Sequence, residues 1–123
     1  MKIQKIASKL VDFCREGNYE AAHNELYASN AISIEPKGSP AELVKGIDAI
    51  KAKGKQFNEM VEAFHNLEVS DPIMSSEYFA IIMKLDLTMK GAGRSKMEEV
   101  CVYHVQNDKI VSEQFFYSPT AQA

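Results

Sequence analysis

Apolar residues recur at helical spacing over residues 3–16. Ile3, Ile6, Leu10, Phe13 and Cys14 form one stripe, with Val11 beside it, and Lys2, Lys5, Lys9, Asp12 and Glu16 take the remaining surface. The pattern predicts an amphipathic helix with one buried face. Gly17 is placed to end it in a left-handed cap, and Asn18 is placed to cap a new helix. Tyr19, Ala22, Leu26 and Tyr27 mark that second, short helix, expected to end near Ser29 and Asn30. Residues 31–35 alternate weakly around Ile32 and Ile34 and predict a short strand, stopped by Pro36 and Gly38. Ser39-Pro40-Ala41-Glu42 has the parts of a capping box with proline at the first helical position, so a turn of helix is expected there. After Gly46, the spacing of Ile47, Ile50, Phe57 and Val61 predicts a third helix over about residues 47–60, with Lys51, Lys53 and Lys55 on or near its wet face. Gly54 costs this helix about 1 kcal/mol in propensity, and is expected to let a neighbouring element approach.

Beyond residue 60 the period becomes two. Val61, Ala63, His65, Leu67 and Val69 share one face of a predicted strand, which Asp71-Pro72 breaks or bends. Residues 78–90 give the strongest strand signal, with Phe79, Ile81, Met83, Leu85, Leu87 and Met89 alternating against a second set. Gly91-Ala92-Gly93 supplies a turn into a strand over residues 95–105, in which Met97, Glu99, Cys101, Tyr103 and Val105 share a face. Asn107-Asp108 turns the chain into a closing strand over residues 109–117. The order is therefore α-α-β-α and then about four antiparallel strands. It implies an α+β fold: a curved antiparallel sheet of about five to six strands packed against three N-terminal helices, in one domain spanning residues 1–123. The long strands are apolar on both faces around residues 80–83 and 100–103. One face can bury against the helices. The other is expected to pair with a second copy in a homodimer, or else to belong to a two-sided core.

Composition narrows the class. The chain has 123 residues, 46% hydrophobic and 25% charged, which suits one globular domain rather than a disordered chain. Fourteen Lys and Arg against 17 Asp and Glu leave a net charge of -3, which argues against a basic nucleic-acid footprint. No apolar run reaches the roughly 18 residues of a membrane span, and residues 1–15 lack a signal-peptide core, so a cytoplasmic location without a membrane partner is expected. Two cysteines, Cys14 and Cys101, lie among apolar residues and read as buried, inert thiols rather than a disulfide scaffold.

No phosphate loop, dinucleotide fingerprint, HExxH or CxxC is present, and no cofactor or metal site is expected. The informative chemistry is acids among large apolar strand residues: Glu35 after Ile34, Glu99 in the Met97–Tyr103 parity set, and Glu113 between Val111 and Phe115. Burial disfavours an ionised carboxyl and brings its pKa toward neutrality, where it can move protons. The plainer reading of each is a solvated or salt-bridged strand residue. His65, on the apolar parity of its strand, is a candidate general base or donor, or a satisfied core histidine. Tyr27, Tyr103 and Tyr117 are candidates to orient a carbonyl or carboxylate of a ligand, or ordinary packing residues. Lys51, Lys53 and Lys55 read as a solvated helix surface.

The pattern resembles the SnoaL-like proteins of the nuclear-transport-factor-two-like superfamily. "GNYEAAHNELYASNAISIEP" is similar to the family's helix-to-strand entry, and "GIDAIKAKGKQF" to its third helix. "YFAIIMKLDLTMK" and "MEEVCVYHVQNDKIVSEQFFY" resemble its long hairpin strands and closing strand. The resemblance implies a cystatin-like cone of bent sheet and helices with a hydrophobic pocket between them, and dimerisation through the sheet. It covers isomerases, dehydratases, cyclases, hydrolases and non-enzymatic binders. The carboxylate–histidine pair of the polyketide cyclases has no match in "YFAIIMKLDLTMK", which holds no histidine and has Asp86 as its one acid. Three functions stay open at this point. One is a cofactor-independent acid–base isomerase, dehydratase or cyclase acting on a small hydrophobic or carbonyl-containing molecule. The others are a non-catalytic ligand-binding module and a structural dimer.

Overall fold

The computed structural model describes residues 2–118. The first helix, α1 (Ile3–Glu16), buries Ile6, Leu10, Val11 and Cys14 of the expected face and Ala7 besides, with Ile3 and Phe13 partly buried against the core. It ends at Gly17 with φ 70°, and the Asn18 amide bonds back to the Phe13 carbonyl at 2.9 Å, closing the last turn. Asn18 then caps α2 (Tyr19–Leu26), its Oδ1 accepting from the Ala21 amide at 3.3 Å. This second helix is shorter than the pattern predicts. Tyr27 is already extended, because β1 (Tyr27–Ile34) begins there and pairs with the last strand from Tyr27 onward.

The expected helical turn at residues 39–42 is instead an irregular turn leading into β2 (Leu43–Lys45), which pairs antiparallel with β1. The Ser39 amide, which a capping box would have used, donates to the Pro36 carbonyl at 3.1 Å, and the Glu35 amide donates to the Glu42 carbonyl at 2.9 Å in continuation of the β1–β2 hairpin. The third helix, α3 (Ile47–Met60), matches its predicted range. Gly54 meets nothing within 4 Å of where a Cβ would sit, so no element approaches it. The remaining strands are β3 (Val61–Val69), β4 (Ile73–Ser75), β5 (Tyr78–Met89), β6 (Gly93–Gln106) and β7 (Lys109–Phe116). The short β4 has no counterpart in the sequence reading.

Three helices cover one face of a curved, unclosed sheet, as expected for the α+β cone. Strand order is β2-β1-β7-β6-β5-β3, with β4 on β5. The sheet is mixed rather than all antiparallel, since β1 and β7 run parallel. Consecutive hairpins fix their own direction by their turns. The β1–β7 pair joins the two ends of the chain, and no local turn signal reports its direction. The core lies between the helices and the inner sheet face, built on Ile6, Leu10, Leu26, Ile50, Phe79, Ile81 and Ile110. Arg15 ties α1 to the rim of β3, its Nη2 donating to the Val69 carbonyl at 2.9 Å and to Asp71 at 3.0 Å.

Candidate active site

Strand register builds the site row by row. On the inner face Phe79 lies opposite Tyr103, Tyr103 opposite Glu113, and Glu113 opposite Ser33, one continuous row across four strands. The next row runs Ile81, Cys101 and Phe115, and the one after it begins Met83, Glu99. Successive rows are two residues apart along a strand, roughly 6–7 Å. Two acids of the parity sets thus project toward the helices from one side of the sheet. The pairing of Val100 with Phe116 brings Glu99 alongside Tyr117.

Glu113 is 4% exposed. One carboxyl oxygen accepts from the Tyr27 hydroxyl and the other from the Ser33 hydroxyl at 2.7 Å. Burial pushes the Glu113 carboxyl up, and these two hydrogen bonds pull it part of the way back. Tyr27 is itself buried, with His23 edge-on to its ring at 4.9 Å, and so is an interior partner of Glu113 rather than a residue of the rim. Tyr103 is buried and stacked on Phe79 at 4.9 Å.

Lys53 enters from α3. Its Nζ donates to the Ser33 hydroxyl oxygen at 2.5 Å and to Glu35 Oε2 at 3.1 Å, and lies 5.1 Å from the centre of the Phe115 ring. The other Glu35 oxygen accepts from the Tyr117 hydroxyl at 2.7 Å, and Ser39 Oγ stands 3.4 Å from that hydroxyl. Burial pushes the Tyr117 phenol up to about 12. Glu35 and Tyr117 line an open depression of about 560 Å3 together with Pro36, Lys37, Phe115 and Phe116. Glu99 and Glu113 stand behind that rim and do not line it.

Glu99 is half-buried and accepts a weak hydrogen bond from the Cys101 thiol at 3.7 Å. Desolvation, reinforced by the Glu35 charge, pushes its pKa up to about 7. The two free cysteines are buried and held as thiols, Cys14 pushed up to about 12 by the same loss of solvent.

The structure brings Glu35, Glu99, Glu113, Tyr27, Tyr103 and Tyr117 to one side of the sheet and leaves His65 out. A bulge in β3 is the reason. Phe64 pairs with Leu87 and Asn66 with Asp86, so His65 is an extra residue and the period-two parity is lost there. His65 is exposed and bonds Thr88 at 2.7 Å, on the outer face with the Asp86–Arg94 ion pair. The sequence reading missed Ser33 and Lys53. Ser33 shares parity with Ala31 and Glu35, and Lys53 lies three residues after Ile50 and four before Phe57 on the apolar stripe of α3, so each had a positional signal.

The chain belongs to the SnoaL-like domain family, whose profile matches residues 1–117. A protein from Mesorhizobium loti, described provisionally as a SnoaL-like polyketide cyclase and carbohydrate phosphatase, superposes with a TM-score of 0.90 at 30% identity, over 95% of this chain and 100% of its own. A Xanthomonas campestris protein of unknown function with a cystatin-like fold superposes at 0.82 with 18% identity, over 99% of this chain and 95% of its own. A Catenulispora acidiphila protein with a ketosteroid isomerase-like fold, solved in complex with trimethylamine, superposes at 0.75 with 15% identity, over 95% and 88%. The last two show the fold alone. No curated protein matches the chain by sequence.

Proposed function

We propose that this SnoaL-like chain takes a small, partly hydrophobic, carbonyl-containing molecule at the Glu35–Tyr117 mouth and moves a proton on it without a cofactor, as an isomerase, dehydratase or cyclase does. Glu99 carries this reading: a half-buried acid hydrogen-bonded by a weak thiol donor, pushed up to about 7 and so able both to take and to return a proton near neutral pH. As a carboxylate it removes a proton from the carbon next to the carbonyl of a molecule that reaches inward past the Glu35–Tyr117 rim to Glu99. The electron pair moves onto the carbonyl oxygen, where the Tyr117 hydroxyl, turned from Glu35, donates to the developing charge. Glu99 then returns its proton to the resulting enolate at another carbon, or a leaving group departs.

Deuterium wash-in at the α-carbon of a panel of cyclic and linear ketones, followed by NMR in heavy water, tests it. The wild-type protein exchanges at least one of them, and Glu99→Gln, still melting as a folded protein, slows that exchange by roughly 10²–10⁴-fold. Exchange unaffected by Glu99→Gln overturns the reading. A second reading, a binding module that returns its ligand unchanged, is favoured by one observation: both oxygens of Glu113 are already occupied by protein donors.

The outer sheet face supports a homodimer. Ile82, Val100 and Phe116 form one exposed cross-strand row, 40%, 39% and 49% accessible, and Tyr78 and Ile73 extend the apolar surface. No helix among the described residues is long and apolar enough to cross a membrane.

A further inference from the structure

Lys53, which its charge alone would assign to the wet side of its helix, sits on the apolar stripe of α3 and reaches the acids of the inner face. Lys53 follows the buried Ile50 by one helical turn, which turns its stem toward the sheet. Its ammonium donates at once to Glu35 and to Ser33, and Ser33 in turn donates to Glu113. It is therefore paired directly with the acid at the mouth and, through one hydroxyl, with the acid of the interior. Glu99, by contrast, accepts from the Cys101 thiol.

We propose that Lys53 is a positioning residue of the acid site: it holds Glu35 and the Ser33–Glu113 pair as one bonded unit and sets the electrostatic field in which Glu99 exchanges its proton. The proposal rests on the acid–base reading of Glu99, and Lys53 itself need not touch the substrate. The field has other members. Glu35 and Glu113 oppose ionisation of Glu99, Lys53 favours it, and the Cys101 thiol donates to it. Cys14 of α1, Tyr19 of α2 and Tyr117 also face Glu99, neutral as long as their protons stay on. Lys53 is thus the cation opposing two fixed acids, and its loss leaves Glu99 facing their charge uncompensated.

The test is a carbon-detected NMR titration of the Glu99 side-chain carboxyl in the wild type, Lys53→Met and Lys53→Arg, with a thermal melt of each. Lys53→Met is expected to move the Glu99 midpoint upward by about half a unit or more, as loss of a nearby cation does. Lys53→Arg, which keeps the charge, is expected to return it most of the way. A Lys53→Met protein that melts lower yet titrates at the wild-type midpoint makes Lys53 a structural tie and overturns the proposal. An equal upward shift in Lys53→Arg overturns it too, since charge would not be the cause. A Glu99 that titrates as an ordinary carboxylate in the wild type counts against the acid–base function instead, so the two failures are told apart. If Lys53→Met does not fold, Ser33→Ala cuts the link to Glu113 alone. A Glu99 midpoint lowered by that cut, because Glu113 without its Ser33 donor takes up a proton more readily and repels the Glu99 charge less, supports the bonded unit, and one unmoved by it overturns it.

Discussion

The Tyr27 hydroxyl donates to Glu113 across 86 residues of sequence, joining the first residue of β1 to the middle of the last strand in a dry interior. Parallel pairing of β1 with β7 makes this contact, because it carries the α2–β1 junction to the strand that bears the acid. Tyr27→Phe keeps the ring and removes the donor. It is expected to lower unfolding free energy by about 1–3 kcal/mol, the cost of leaving a buried acceptor short of a partner. Urea unfolding at pH 7 measures it, and a loss below a few tenths of a kcal/mol would show that Glu113 finds another donor.

Stability should depend on pH through Glu99. Its folded pKa is raised from 4.5 to about 7, so the folded state binds the proton more tightly than the unfolded chain. The stabilisation is complete below the unfolded value and is lost as pH rises through the window from 4.5 to about 7. The full shift corresponds to about 3 kcal/mol. Glu99→Gln removes this titration, so its stability curve should stay flatter than the wild type across that window. Chemical denaturation at four or five pH values distinguishes the two.

His65 stands outside the site, exposed at a bulge and bonded to Thr88. His65→Ala is therefore expected to leave ligand binding and proton exchange at the wild-type level and to change stability by less than about 0.5 kcal/mol. A hundredfold loss of exchange in a folded His65→Ala protein would place the histidine back in the chemistry.

Charge on the outer apolar row should separate a dimer. Val100 lies between Ile82 and Phe116 with its side chain 39% exposed. Val100→Glu is expected to convert a sedimenting dimer to a folded monomer with an unchanged circular dichroism spectrum. A wild-type protein that sediments as a monomer at all concentrations contradicts the interface.

Local signals account for most of the fold. The α1 stripe, the glycine at its end, the range of α3 and the long β5–β6 hairpin are all written in spacing and turn residues, and they stand where the pattern puts them. What was not legible depended on partners distant in sequence. Tyr27 leaves its helix because Ile110 pairs with it, and residues 39–42 forgo a helical turn because β2 pairs with β1. Parity read the inward face of β6 and β7 correctly, as no register shift intervenes between residues 97 and 103. The same rule misplaced His65, since two register shifts in β3 break the alternation between Val61 and Leu67, while Leu67 and Val69 beyond them keep the expected face. Lys53 was read by its charge although its helical position pointed inward. Its long stem allows a buried approach that a residue-type rule does not foresee.

The proposed chemistry needs an acid on the inner face poised near neutrality. A side-chain carboxyl titration of Glu99 in the wild-type protein, from pH 4 to 9, tests it most directly. A midpoint near 7 is expected. A midpoint at the ordinary carboxylate value of about 4.3 would mean that solvent reaches Glu99 freely, and the proton-transfer account would not stand.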